Sequence, residues 1–206
     1  MALLDVFRPI RDGETLAAFI DQHAERLGRG IVDDYLRARA GSAARQLFAT
    51  PNFIAARDQA QLQAYPVAVA LIGEMVATAL TEKSEEVAPE LARGLAALAT
   101  GLFDRRVPLL SATAWSKARH DVSHLLAALE ASYAKPVSAI AAEYASSFLA
   151  LMPMHDKLSP DDFPALRNHI ERELGEVHTS FTRRASVRRL VAALTAVGPA
   201  LANNPT

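Results

Sequence analysis

The chain has 206 residues, of which 50% are hydrophobic and 22% are charged, so it is long enough for one sizeable core and too apolar to be disordered. Its net charge of −1 excludes a general electrostatic attraction for nucleic acid or acidic lipid. The absence of cysteine excludes disulfides, thiol nucleophiles and cysteine-ligated metals.

No part of the sequence has the pattern of a targeting or membrane segment. The N-terminus lacks the charged start and long apolar region of a signal peptide, and no uninterrupted apolar run reaches the roughly 18 residues of a membrane span. We also find no internal repeat and no linker between domains. The sequence therefore predicts a cytoplasmic protein with a single domain over residues 1–206, frayed at 1–12 and in the tail 202–206, and without a membrane span.

Apolar residues recur with a period of about 3.6 in every segment, and none alternates with a period of about 2, which predicts helices throughout. Alanine, the best helix former, makes up roughly a fifth of the chain and favours close helix packing. The first two helices are predicted over about 15–27, where Gly28 gives a stop signal, and over about 30–48, before Pro51.

The third predicted helix, about residues 52–80, carries the stretch that organises the chain. From Tyr65 to Leu80 it is hydrophobic on nearly every side, as expected of a helix surrounded by other helices. Pro66, which has no backbone N–H, predicts a kink near residues 62–66. The predicted fold class is therefore all-α: a single-domain bundle of about seven or eight helices around this central hydrophobic helix.

Two charged residues stand on largely apolar helices. Glu74 interrupts the central helix, and Arg39 lies on the apolar side of the second predicted helix. Because an unpaired buried charge is very costly, the two could pair with each other, and such a pair beside a cavity could orient a polar ligand head group. The alternatives are a surface position for Glu74 and an extended Arg39 side chain that reaches water.

Five further helices are predicted after the central one, from the caps and prolines that open them. On the first of these, Gly94, Ala97 and Gly101 form a flank without bulky side chains. Such a flank can pack inside the monomer or against a second copy. The start signals of the five helices are Ser84, Ser111, Pro136, Ser159 with Pro160, and the basic stretch before Val187.

His120 and His124 stand one helical turn apart, a spacing that can hold one metal ion. The pair lies almost opposite the apolar stripe of its helix and has no adjacent glutamate of the zinc-protease kind, so two surface histidines are the simpler interpretation. One flank of the seventh predicted helix could complete a site for zinc, manganese or iron, or could be an ordinary solvated flank with ion pairs. Its members are Asp162, His169, Glu173 and Glu176.

His23 lies on an apolar stripe, where it could ligate a haem, although a core histidine with one hydrogen bond is the more common case. The loop from Met152 to His155 offers soft ligands for copper, and its alternative role is to plug the core. Four arginines near the last helix could contact phosphate or an anionic surface, but no nucleic-acid-binding motif surrounds them. They are Arg183, Arg184, Arg188 and Arg189.

No contiguous catalytic or nucleotide-binding signature is present. The leading hypothesis is a non-enzymatic soluble helical domain that acts through a protein partner or as a homodimer, with no nucleic acid. A mean hydropathy of +0.08 favours leftover apolar surface, which usually marks an interface. The alternatives are a bundle that binds a small molecule, haem or metal, and a metal-dependent enzyme that uses His120 and His124.

Overall fold

The computed structural model describes residues 9–83, 89–129, 135–153 and 161–202. This part of the chain is an all-α bundle with seven long α-helices, one short α-helix and a 3-10 turn at Gly41–Ala43, and it contains no strand, so the predicted fold class is confirmed. The helices are α1 (Gly13–Ala40), α2 (Ala44–Leu47), α3 (Pro51–Thr81), α4 (Pro89–Arg105), α5 (Ala112–Ala127), α6 (Val137–Ala150), α7 (Asp162–Arg184) and α8 (Val187–Ala202).

Helix α1 is continuous where the sequence predicted two helices separated at Gly28, so that prediction is wrong. Gly28 is a packing position: a Cβ atom there would lie only 3.2 Å from the carbonyl carbon and oxygen of Ala64 on α3. The missing side chain lets the two backbones cross closely. The glycine that ends α1 is Gly41, which has a φ of +52° and donates its N–H to the carbonyl of Arg37, as helix-ending glycines do.

Helix α3 is the centre of the bundle, as predicted. It packs against α1, α4, α5, α6 and α7, and its residues from Tyr65 to Val76 are buried except Val67. The helix passes through Pro66 without a break, and the expected kink there stays a prediction. Within the described residues, α3 is also the one helix long and apolar enough to cross a membrane, but 78% of its most apolar window is buried inside the protein. Packing in the core accounts for that apolarity.

On α7 the apolar residues that recur with a period of about 3.6 are buried on one side of the helix, except Phe163, which is 38% exposed. Ser111 caps α5 as predicted, accepting a hydrogen bond from the Ala114 N–H at 3.4 Å, and α6 begins directly after Pro136. The predicted caps Ser84 and Ser159 lie outside the described residues. The buried stripe of α7 consists of Leu166, Ile170, Leu174, Val177 and Phe181.

The N-terminal segment is tied to the junction between α7 and α8. Ile10 is 1% exposed, donates its N–H to the Arg184 carbonyl at 2.9 Å and accepts from the Ser186 N–H at 2.8 Å. Asp12 then caps α1 through a reciprocal pair of hydrogen bonds with Thr15. Of the residues predicted to fray, 1–8 and 203–206 lie outside the described part, whereas the chain from Ile10 onward is held by these contacts.

The small-residue flank of α4 divides between two environments. Gly94 is buried against α8, where an added Cβ would lie 2.3 Å from the Leu194 carbonyl oxygen. Ala97 is half-buried, and a Cβ on Gly101 would meet nothing within 4 Å. The structure thus places the tightest part of the flank inside the monomer, where α8 covers α4.

Candidate functional site

An apolar groove of about 500 Å³ lies between α3, α5 and α6. Helix α3 lines it with Pro66, Val67 and Ala70, and α5 lines it with Ala114 and Ala118, one helical turn apart. Because these two alanines carry no bulk, α5 leaves space beside α3 that larger side chains would fill. The volume and the largely carbon lining are those of a small-molecule pocket between the helices of a bundle.

The rim of the groove is polar and carries little net charge. Gln63 and Ser147 are exposed at its edge. Lys117 and Asp121 also line it and form an ion pair with each other along α5, so their charges offset. The groove therefore offers an apolar floor with hydrogen-bonding groups around its mouth, an arrangement suited to an uncharged apolar body with a polar end.

Tyr144 on α6 joins the groove to a buried charged network. It lines the groove, and its hydroxyl donates a hydrogen bond to Glu74 Oε2 at 2.9 Å. Lys135 Nζ donates to Glu74 Oε1 at 2.8 Å and to Glu143 at 2.9 Å. Glu74, whose side chain is 5% exposed, thus has a donor on each carboxylate oxygen, which fixes the Tyr144 ring as part of the groove wall.

Two pKa shifts describe this network. Burial, reinforced by the Glu74 carboxylate, raises the pKa of Tyr144 far above its usual value. Desolvation lowers the pKa of Lys135, but the hydrogen bonds to Glu74 and Glu143 outweigh it, so the net shift is upward. Tyr144 therefore remains a neutral hydrogen-bond donor and Lys135 a cation at neutral pH.

Of the alternatives for Glu74 and Arg39, neither their pairing nor a surface position for Glu74 is found, because Glu74 is buried and bonded to Lys135 and Tyr144. Arg39 Nε lies 3.2 Å from Oδ1 of Asp162, whose side chain is 7% exposed. This pair joins α1 to the first turn of α7 beside Tyr35, and burial followed by the Asp162 carboxylate raises the pKa of Tyr35. Asp162 is also buried rather than on a solvated flank with His169. Glu74 and Arg39 each have a counter-ion, as expected. The counter-ions are Lys135 for Glu74 and Asp162 for Arg39.

The predicted metal ligands are spread over two separate surfaces. His120 and His124 are exposed on α5, with ring centroids 6.3 Å apart. On α7, Arg172 donates to His169 Nδ1 at 2.6 Å and lies 3.3 Å from a Glu173 carboxylate oxygen. Within the described part of the chain, no group of three or more His, Cys, Asp or Glu side chains could hold a metal ion.

Glu176 lies in a different environment from His169 and Glu173, the other two predicted ligands on α7. It lines an open cavity of about 870 Å³ beside the α7–α8 junction.

The copper hypothesis concerns the loop that follows α6. In that loop Met152 is buried and Pro153 is exposed, while Met154 and His155 lie outside the described residues. Buried Met152 fits the alternative role of a core plug.

His23 is packed into the interface between α1 and α7. Its ring centroid lies 4.3 Å from that of Phe19, and the Phe19 ring packs at a tilt against Phe181, with 5.6 Å between the ring centroids. Burial, followed by the charges of Arg26 and Arg184, lowers the pKa of His23 to about 4. The small cavity next to it holds about 180 Å³ and is not lined by His23, below the size of usual ligand sites, so the surroundings fit a core histidine better than a haem ligand.

The half-buried position of His23 predicts a loss of stability in acid. Because its folded pKa is about 4 and an unfolded histidine has a pKa of about 6.5, the unfolded state binds more protons between these values. The free energy of unfolding should fall as pH drops through this window, by about 1–2 kcal/mol after allowance for partial exposure. Denaturant unfolding of His23→Gln between pH 7 and 4 should show a correspondingly flatter profile.

His124→Gln provides the matched control, because His124 is exposed. The stability of this variant should depend on pH as that of the wild type does. If His23→Gln and the wild type lost stability in parallel over this pH range, His23 would not be held neutral by the fold.

The comparisons add no relative from which a function could be carried over. No protein-family model matches the chain, no curated protein matches it, and no solved structure matches it. Residue spacing indicated Glu74 as a charge on an apolar helix but indicated neither Lys135 and Tyr144 as its partners nor the groove. The groove and its buried network are the features of the structure that bear on function.

Proposed function

We propose that the protein binds a small molecule with an uncharged apolar body in the groove between α3, α5 and α6. The observation that carries the proposal is a preformed groove of about 500 Å³ whose floor is made of proline, valine and alanine side chains. Burial of apolar surface is the main favourable term for such a ligand, at about 25 cal/mol per Å².

The buried network supports the proposal because it stiffens one wall. A ligand that enters a preformed site loses less affinity to reordering of the protein. Tyr144 presents its ring to the groove while its hydroxyl is held by Glu74. The rim residues Gln63 and Ser147 can then bond a hydroxyl, carbonyl or amide at the polar end of the ligand, since both side chains donate and accept.

Association with a protein, including a second copy, is the second candidate function. Val107 is 81% exposed and Leu125, which lines the groove, is 38% exposed. An amphipathic helix could place its apolar face along such a groove. The homodimer expected from the sequence would then use the same surface, and the affinity of small molecules for it would depend on protein concentration.

Substitution of Ala114 by Phe should block the groove. The new ring would occupy the space beside Pro66 and Val67, so the neutral fluorescent dye Nile red should bind the wild type with blue-shifted emission and the variant at least about tenfold more weakly, a loss of about 1.4 kcal/mol. Fluorescence titration measures both dissociation constants, and size exclusion with light scattering measures the oligomeric state of each protein.

Ala127→Phe is the matched control, because Ala127 is exposed on the same helix but does not line the groove. It should bind the dye like the wild type. Equal binding by all three proteins would contradict the proposal. A wild type that ignores the dye but forms dimers that Ala114→Phe dissociates would favour association in its place.

A further inference from the structure

The connection between α4 and α5 (106–111) is held against α1 by Arg106. Its guanidinium donates from Nη1 to Asp21 Oδ1 at 2.6 Å and from Nη2 to Glu25 Oε2 at 2.7 Å. Asp21 and Glu25 stand one helical turn apart on α1, so the planar guanidinium bridges both carboxylates. These carboxylates are 39% and 40% exposed, and ion pairs near the surface contribute little to stability. The bridge therefore matters more for where the connection lies than for stability.

Tyr65 on α3 belongs to the same arrangement. The Arg106 guanidinium lies 4.4 Å from the centre of the Tyr65 ring, within the range of a cation–π contact. The Tyr65 hydroxyl donates to Asp21 Oδ1 at 2.6 Å, the oxygen that also accepts from Arg106. Burial, followed by the hydrogen bond to Asp21, raises the pKa of Tyr65, so the hydroxyl keeps its proton at neutral pH. We call Arg106, Asp21, Glu25 and Tyr65 the Arg106 cluster, which joins α1, α3 and the connection before α5.

Trp115, near the start of α5, packs against the Arg106 cluster. Its ring is nearly parallel to that of Tyr65, with 14° between the planes and 6.1 Å between the centroids. The indole N–H donates to the carbonyl of Phe103 at 3.3 Å, and Trp115 is 6% exposed. Because packed interiors leave few voids, the stacked rings of Tyr65 and Trp115 set the distance between α3 and α5 at this level of the bundle.

The apolar groove begins at the residues next to these two rings. Pro66 and Ala114 line the groove, and each is the chain neighbour of one of the stacked rings. Leu110, in the connection that Arg106 begins, lines the groove too. The Arg106 cluster therefore holds the three parts of the chain that carry these lining residues, although Arg106 itself does not line the groove.

We propose that Arg106 is a positioning residue for the groove: through Tyr65 and Trp115 it fixes the spacing of α3 and α5 before a ligand enters. The inference rests on the function proposed above, because it concerns the affinity of that groove. Loss of the Arg106 bridge would free the connection and the start of α5. A ligand would then have to reorder them on binding, which lowers its affinity without removing any direct contact.

Arg106→Gln tests this role with two readouts. Nile red should bind the variant about threefold to tenfold more weakly than the wild type, because the groove is no longer preformed. Trp115, the single tryptophan, should emit at a longer wavelength and be quenched more strongly by acrylamide, because water reaches its ring. Fluorescence titration and quenching measure the two effects, and circular dichroism verifies that the variant is folded.

Glu25→Gln is a milder variant that keeps the role testable if Arg106→Gln does not fold. It removes one of the two carboxylate partners of Arg106 and leaves the bond from Tyr65 to Asp21 in place. Both readouts should change in the same direction as in Arg106→Gln, by a smaller amount.

Arg57→Gln is the matched control. Arg57 lies on α3 and pairs with Asp33 of α1, 3.8 Å away, and with its neighbour Asp58. Its guanidinium lies 5.8 Å from the centre of the Phe48 ring. The Arg57 side chain is 23% exposed, close to the 20% of Arg106, but it does not line the groove. Dye affinity and Trp115 emission should both match those of the wild type.

Equal changes in Arg106→Gln and Arg57→Gln would show a general effect of losing an ion pair and would overturn the inference. Unchanged dye affinity in Arg106→Gln would also overturn it, while the proposed function stood. A wild type that does not bind the dye would instead refute the proposed function. Trp115 emission then decides separately: a shift confined to the two variants of the Arg106 cluster supports the role of Arg106 in spacing α3 and α5, and no shift refutes it.

Discussion

Gly94→Ala should lower the free energy of unfolding by about 3 kcal/mol, the upper end of the usual cost of overpacking a core. The added Cβ would lie 2.3 Å from the Leu194 carbonyl oxygen and 2.8 Å from its carbonyl carbon. These are backbone atoms of α8, so no side-chain rotation relieves the clash and the two helices must move apart. Urea unfolding followed by circular dichroism measures the change.

Gly101→Ala is the matched control on the same helix. Since its Cβ would meet nothing within 4 Å, the substitution adds only helix propensity and should stabilise the protein by up to about 1 kcal/mol. Opposite signs for the two variants are therefore expected. Equal and small effects would show that α8 does not press on Gly94, and the intramolecular placement of this flank would have to be abandoned.

Helix periodicity predicted most of the bundle because it reports which side of each helix meets the core. The stripe of α7 and the near-uniform burial of α3 follow directly from the spacing of apolar residues. Gly28 shows where this reasoning fails. The sequence does not distinguish a glycine that ends a helix from a glycine that lets two helices cross closely. For Gly28, the position of Ala64 on α3 shows that it has the second role.

The candidate site was less predictable for a physical reason. The sequence indicated that Glu74 needs a partner, because a buried carboxylate without one is very costly. It did not indicate which partner, since Lys135 lies 61 positions away along the chain and in the connection that precedes α6. Tyr144 recurs at helical spacing with the apolar residues of α6, which indicates burial of its ring but says nothing about the partner of its hydroxyl.

The groove itself is space left by small side chains. A helical wheel shows that Ala114 and Ala118 share a face, but it does not show whether a neighbouring helix fills the volume beside them. That depends on the distance between α3 and α5, which Pro66 and Val67 help to set from the other side. Three-dimensional packing was therefore required to find the site on which the proposed function rests.

Lys135→Met should remove the cation that compensates Glu74 and destabilise the protein by about 2–3 kcal/mol. Breaking a buried ion pair by removing one partner typically costs about 3–5 kcal/mol, and the lower value is expected because the Lys135 side chain is 39% exposed and water screens the interaction. Denaturant unfolding at neutral pH measures the loss. The hydrogen bond from Tyr144 to Glu74 remains in Lys135→Met and limits the loss of stability.

Lys117→Met is the control for the loss of a lysine that bridges a carboxylate. Its partner Asp121 is 53% exposed, so the stability should change by less than about 1 kcal/mol. Adding Glu74→Met to Lys135→Met should recover part of the lost stability, because an apolar pair of similar volume often replaces a buried ion pair without cost, whereas the Tyr144 hydroxyl loses its acceptor. If Lys135→Met were as mild as Lys117→Met, Glu74 would have to reach water in the folded protein. The Tyr144 wall of the groove would then not be held by a buried carboxylate.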